Sequence, residues 1–280
     1  MFLANFLIAL REGVEASLVV GILVATLVKT NRRDVLPRLW LGVILAAVVP
    51  LTAGAIMTWG PYTLTFQAQE VLGGTLSIVA MGMLTWMIFW MATHARKMTS
   101  NLREQALDAL KSGSGWSLVW IAIISVGREG VETAIFVWAT VKATSQGGFW
   151  QPTAGVITGL IVAIIIGWLV YCGTAKINLS TFFFATGLLL IVVAAGIVSY
   201  GIGDLQEAGV LPGWGVTIYD ISSYFDGHIP FLDATSWWFV LLEAMFNVNL
   251  APTYLQFVGW ALYLIIVLPL FIRHTHPKVS

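Results

Sequence analysis

Apolar residues run along this chain in seven long stretches, near 2–28, 38–60, 66–92, 116–141, 153–172, 179–201 and 252–272. A helix needs about 20 residues to cross a bilayer, so each stretch is long enough to span one. The pattern predicts an all-α integral membrane protein with seven transmembrane helices. The polar residues between the stretches set the orientation. Lys29, Arg32, Arg33 and Arg38 fall between helices one and two; Arg96, Lys97, Arg103 and Lys111 fall between three and four. Lys176 lies between five and six, and Arg273 and Lys278 follow seven, so eleven of the 14 basic residues share one side. Basic loops stay cytoplasmic, which predicts an outside amino terminus and a cytoplasmic carboxyl terminus. Met1 to Leu10 contain no Lys or Arg, and the first apolar run continues to Val28, so the first helix is expected to be retained.

Two of the apolar stretches are interrupted by the same charged pentapeptide. Arg11-Glu12-Gly13-Val14-Glu15 recurs as Arg128-Glu129-Gly130-Val131-Glu132, 117 residues on. A charge at the centre of a membrane helix costs about 2.5–3.5 kcal/mol, so the six groups together cost on the order of 15–20 kcal/mol before pairing. Residues three and four apart share a helix face. Glu12 therefore lies beside Glu15, and Glu129 beside Glu132. Arg11 can pair with Glu15, and Arg128 with Glu132. Gly13 and Gly130 let another helix approach closely. The spacing predicts four carboxylates around one small volume with two guanidiniums behind them. Two arginines can neutralise only two glutamates, and the other two must be protonated, hydrated or bound to a metal.

The same shift of 117 residues brings Gly42 onto Gly159, Phe66 onto Phe183 and Ala68 onto Ala185. Each unit holds three helices, and an odd number of spans turns the second unit upside down. Inverted repeats are a recurring plan of secondary transporters, with the substrate site near the midplane. The expected organisation is a first three-helix repeat over 1–93 and a cytoplasmic linker over 94–115. A second, inverted repeat over 116–201, an acidic outer loop over 202–251, and a seventh helix with a cytoplasmic tail over 252–280 follow. Glu12 is about 15 Å down the first helix and Glu129 about 20 Å up the fourth, at 1.5 Å per residue. Both depths are near the middle of a ~30 Å hydrocarbon core.

Composition narrows the chemistry. Of 280 residues, 58% are hydrophobic and only 10% charged, with 13 Trp and a net charge of zero. That excludes a case for nucleic acid and makes the lipid bilayer the chain's surroundings. A single cysteine, Cys172, excludes an internal disulfide and a thiolate-rich metal site. None of the four histidines is at a helix centre: His94, His274 and His276 are on the cytoplasmic side and His228 is in the outer loop. Met57, Met81, Met83, Met87 and Met91 have spacings of packing residues. An all-oxygen site suits hard cations. Glu70, near the outer end of the third helix, is a candidate relay carboxylate. Ser125 and Thr133 flank Glu129 at i±4 as candidate oxygen ligands, although helical Ser and Thr more often bond their own backbone. The segment from Gly203 to Phe246 carries Asp204, Glu207, Asp220, Asp226, Asp233 and Glu243 with no Lys or Arg, a composition that attracts cations. Glu12, Glu15, Glu70, Glu129 and Glu132 against Arg11 and Arg128 leave a formal charge of −3. A carboxylate-bridged membrane oxidoreductase would also cluster acids, but it would usually carry Glu-x-x-His pairs, and none is present at depth.

With these residues the chain resembles the oxidase-dependent iron transporter family, comprising fungal high-affinity iron permeases and the bacterial iron permease of the ferrous-iron transport operon. The Arg-Glu-x-x-Glu hallmark is matched at 11–15 and 128–132. Further matches are Leu84-Thr85-Trp86-Met87, Phe89-Trp90-Met91 and Gln206-Glu207-Ala208-Gly209, together with Tyr219-Asp220 and Glu243. The resemblance implies import of iron, ferrous or ferric, across the plasma membrane, with no permanent cofactor and no enzymatic activity. It implies that the motif glutamates are ligands and that Glu207 receives or passes on the ion. An outer-face oxidase, peroxidase or iron-binding protein would deliver it. Manganese or lead on the same scaffold is the alternative cargo. The family pattern expects Glu-x-x-Glu-Gly at the start of the third helix; here Glu70 is followed by Gly73 in place of the second acid.

Overall fold

The structure is a computed structural model that describes residues 2–59, 65–111, 116–142, 150–172, 179–213, 215–220 and 251–275. The described residues are all-helical: α1 (Phe2–Lys29), α2 (Leu36–Trp59), α3 (Phe66–Lys111), α4 (Trp116–Lys142), α5 (Trp150–Tyr171), α6 (Leu179–Glu207) and α7 (Tyr254–Thr275), with a short 3-10 turn at Arg33–Val35. Lys176, Asp226, His228, Asp233, Glu243, His276 and Lys278 lie outside the described residues.

Two helices run further than hydropathy alone predicts. α3 continues through the expected linker to Lys111. Residues 94–111 contain neither Gly nor Pro, so nothing breaks the helix until Gly113. α6 continues to Glu207, which puts Asp204 and Glu207 on its last turns rather than in a loop. Its polar end is held by contacts that hydropathy does not register. The Gln206 amide nitrogen donates to the Pro212 carbonyl at 2.7 Å, and the Thr253 hydroxyl donates to Gln206 Oε1 at 2.7 Å. Gly209, at φ 77°, then closes the helix. Its N–H reaches the Gln206 carbonyl at 3.0 Å, and the N–H of Val210 reaches Leu205 at 2.9 Å. This left-handed cap uses up the terminal carbonyls, and glycine adopts it without strain.

Five helical segments are long and apolar enough to cross a membrane: Arg33–Gly54, Phe66–Thr93, Pro152–Tyr171, Thr181–Glu207 and Tyr254–Thr275. α1 and α4 are of comparable length, 28 and 27 residues, but each carries three charges in its middle. Those two helices are also drawn together inside the protein. α1 packs along α5 and against α4, α2 packs along α4, α3 along α6, and α7 against α6. Small residues allow the close approaches. A Cβ on Gly42 of α2 would lie 2.9 Å from the Val119 carbonyl oxygen of α4, and one on Gly159 of α5 would lie 2.6 Å from the Phe6 carbonyl oxygen of α1.

The core is divided by the charged motifs. On one side Ile8, Leu84, Met87, Ile88, Phe136 and Leu190 pack together from α1, α3, α4 and α6. On the other, Val19, Leu23, Leu27, Leu39 and Leu118 join α1, α2 and α4. Met87 and Met91 are buried packing residues, as their spacing predicts. The outward faces of α2, α5 and α7 expose Ile44, Leu51, Ile161, Ile164, Ile265 and Leu270, side chains suited to a hydrocarbon surrounding.

Candidate metal centre

α1 and α4 meet at their charged pentapeptides. Arg11, Glu12, Glu15, Glu129 and Glu132 are 1%, 2%, 2%, 7% and 8% exposed, respectively. One oxygen each from Glu12, Glu15 and Glu129 lies within 4.8 Å of the others. The helices can hold these groups together because other helices are clamped behind them. A Cβ on Gly13 would stand 2.7 Å from Ala163 Cβ of α5, and one on Gly130 would stand 2.7 Å from Pro50 Cγ of α2. The glycines thus admit α5 behind α1 and α2 behind α4.

Charge at this site is only partly compensated. Arg11 Nε is 3.5 Å from Glu15 Oε1, and both side chains are buried. Among the described residues, no amide, hydroxyl or guanidinium hydrogen bond reaches either carboxylate oxygen of Glu12 or Oε1 of Glu15, and Nε and Nη1 of Arg11 find no acceptor in hydrogen-bonding geometry. Buried groups in native proteins normally find hydrogen-bond partners, and such exceptions mark a place where another group belongs. Convergent carboxylate oxygens, those of Glu12 and Glu15 Oε1 among them without donors, have the donor chemistry that hard cations favour.

Of the four motif carboxylates, Glu12, Glu15 and Glu129 form the group with oxygens within 4.8 Å of one another, and Glu132 is buried beside them. Arg128 Nε donates to Glu132 Oε1 at 2.9 Å. The flanking hydroxyls divide as helical Ser and Thr usually do. Thr133 donates to the Glu129 carbonyl at 2.8 Å and so is engaged with its own helix. Ser125, one turn before Glu129, is half-buried.

A second acidic region forms where α3 begins and α6 ends. Glu70 is half-buried, Asp204 buried, and Glu207 exposed. Tyr200 hydrogen-bonds Asp204 and feels the charges of Glu70 and Glu207. A Cβ on Gly73 would lie 2.8 Å from Asp204 Oδ2. The notch left by Gly73 is therefore filled by a carboxylate reaching across from α6. Sequence spacing could not find this pairing, because the two residues lie on different helices. Asp220 is exposed and distant in sequence from both.

A bundle of long apolar helices around buried carboxylates defines a multi-pass membrane protein. The chain belongs to the iron permease FTR1 family, whose pattern matches residues 2–275. It is 34% identical over 270 residues to the ferrous iron permease EfeU of Escherichia coli O6:H1 strain CFT073, covering 95% of this chain and 94% of that protein. It is 35% identical over 269 residues to EfeU of Shigella sonnei strain Ss046, covering 95% and 94%. It is 33% identical over 268 residues to EfeU of Yersinia pestis, covering 95% and 92%. No solved structure matches. The protein is thus a transporter rather than an enzyme, and a multi-pass protein of the cell membrane.

Proposed function

We propose that this protein imports iron across the plasma membrane, and that the ion binds between α1 and α4 on Glu12, Glu15 and Glu129, with Glu132 beside them. The observation that carries this reading is the convergence of three buried carboxylates, with Arg11 as the buried guanidinium beside them. Iron as the cargo follows from the names of the relatives. Arg11 and Arg128 position the second glutamate of each motif and limit the local negative charge.

The architecture is a seven-span bundle with an inverted three-plus-three core over 1–93 and 116–201, the amino terminus outside. The helix pairing supports it. An axis that exchanges α1 with α4, α2 with α5 and α3 with α6 turns the α1–α5 pair into the α4–α2 pair and the α3–α6 pair into itself. Gly42 and Gly159, equivalent under the 117-residue shift, each close against the first helix of the other unit. α1 and α4 carry their charges across the membrane by turning them toward each other, which removes the cost of facing lipid. Movement of one unit against the other gives alternating access.

On this reading Glu70, Asp204 and Glu207 form the outer approach, and an oxidase, peroxidase or iron-binding protein delivers the ion. Asp204 supplies from α6 the acid missing at position 73. Gly73→Glu is expected to lower uptake roughly tenfold, because overpacking a tight contact costs about 1–3 kcal/mol. Gly73→Glu combined with Asp204→Ala is expected to recover most of it. A double variant as poor as the single would sink the equivalence of the two positions.

The experiment for the cargo is uptake by the purified protein in liposomes. Ferrous and ferric iron are each supplied, with and without a pH gradient, against competing manganese and lead. Saturable iron uptake that tenfold excess manganese barely inhibits is the expected result. Equal competition by manganese or lead would favour a general cation transporter.

A further inference from the structure

The two pentapeptides are identical in sequence and unlike in structure. In the first, Arg11 and Glu15 are both buried, and the pair is loose at 3.5 Å. In the second, the pair is tight at 2.9 Å, and the Arg128 side chain is 44% exposed. The exposed partner is the arginine alone, since the Glu132 side chain is 11% exposed, and an exposed guanidinium has freedom to move away from its carboxylate. Something else fixes Arg128, and the structure supplies it: the guanidinium carbon stands 5.5 Å from the centroid of the Trp90 ring on α3. A planar cation over an indole face is attracted by the ring's negative quadrupole, and Trp is the strongest such partner. Trp90 therefore restrains Arg128, and Arg128 restrains Glu132.

The restraint has a consequence for charge. Glu15 and Glu132 occupy equivalent positions on equivalent helices, yet only Glu15 joins the carboxylate group. With Glu132 neutralised by Arg128, the group consists of Glu12, Glu15 and Glu129 against Arg11, formally −2 when all are ionised. Release of Glu132 would make a fourth carboxylate available and raise the local negative charge.

We propose that Trp90 is a positioning residue of the transport site: by stacking on Arg128 it keeps Glu132 out of the carboxylate group and so matches the site to a divalent rather than a trivalent cation. This rests on the transport reading given above. A binding site in a low-dielectric interior discriminates strongly by net charge, so the number of free carboxylates decides which valence leaves the site neutral.

The test uses the full-length protein in liposomes, with ferrous uptake inhibited by gallium(III) citrate or by manganese(II). In Trp90→Leu the ratio of gallium to manganese inhibition is expected to rise about tenfold, the upper range of a partly desolvated cation–aromatic contact. Trp90→Phe, which keeps a ring, is expected to stay within about threefold of the parent by the same measure. Adding Glu132→Gln to Trp90→Leu should return the ratio to the parent value, because no fourth carboxylate remains to be released. Should Trp90→Leu fail to reach the membrane, Arg128→Lys keeps the charge, loses the planar stack, and is expected to shift the ratio in the same direction. An unchanged ratio in a membrane-inserted Trp90→Leu or Arg128→Lys protein overturns the proposal, as does a shifted ratio that survives Glu132→Gln. A Glu12→Gln control separates the two levels. If it transports like the parent, the transport reading itself fails; if it is inactive while the ratio is unmoved, only the role of Trp90 fails.

Discussion

Replacing Glu12 with glutamine is expected to reduce iron uptake in liposomes by at least about 100-fold, and Glu129→Gln should do the same. Changes one shell removed from a metal typically cost 10–100-fold, so loss of a direct ligand should reach or exceed the top of that range. Glutamine preserves the shape and the packing of each glutamate and removes one formal charge. The remaining pair of carboxylates, offset by Arg11, would hold a site with half its former charge. Neither substitution should unfold the protein. Both oxygens of the Glu12 carboxylate are without donors among the described residues, so a neutral amide there removes repulsion from Glu15 and Glu129. Glu12→Gln is therefore expected to be slightly more stable in detergent than the parent while being inactive. Uptake within twofold of the parent, in a variant shown to be inserted, would remove the carboxylate group from the transport path.

The second large effect concerns stability and contrasts the two arginines. Arg11→Leu is expected to lower stability in detergent micelles by about 3–5 kcal/mol, the cost of leaving a buried charge without its partner. Arg11 is fully enclosed, and its removal leaves Glu12, Glu15 and Glu129 without their buried guanidinium. Arg128→Leu is expected to cost less than Arg11→Leu, because the Arg128 side chain is 44% exposed whereas Arg11 is fully desolvated. Thermal unfolding followed by tryptophan fluorescence would measure both. Equal losses for the two variants would mean that the second motif is as enclosed as the first. The Arg11→Leu loss should shrink when Glu15→Gln is added, since one of the repelling charges is then gone.

Much of the fold was available from hydropathy. A run of twenty apolar residues has few alternatives to a helix, because lipid leaves every backbone group to be satisfied within the segment. The seven helices of the described residues begin and end within a few residues of the apolar stretches, except where α3 and α6 run on. Those extensions depend on an absence of breakers in one case and on Gln206, Thr253 and Gly209 in the other, and hydropathy weighs none of these. The motif glutamates were also evident, since charges repeated at helical spacing inside apolar segments have a cost that demands a use.

What spacing along one chain could not supply was the relation between helices. Helical periodicity says which residues share a face; it does not say which face meets which neighbour. It placed Glu12 with Glu15 and Glu129 with Glu132, and each pair is indeed on one side of its helix. It could not reveal that Glu132 stands beside the group of Glu12, Glu15 and Glu129, that Arg128 rests on Trp90 from a third helix, or that Asp204 fills the notch at Gly73. Two identical pentapeptides carry the same local instructions. They end in different states because α3 brings an indole against the second guanidinium, while the first is enclosed with a loosely held glutamate. Sequence determined that this chain must keep surplus carboxylates inside a membrane bundle; the packing of α1 against α4, with α3 beside them, determined which of them converge, since that depends on contacts between residues far apart in the chain.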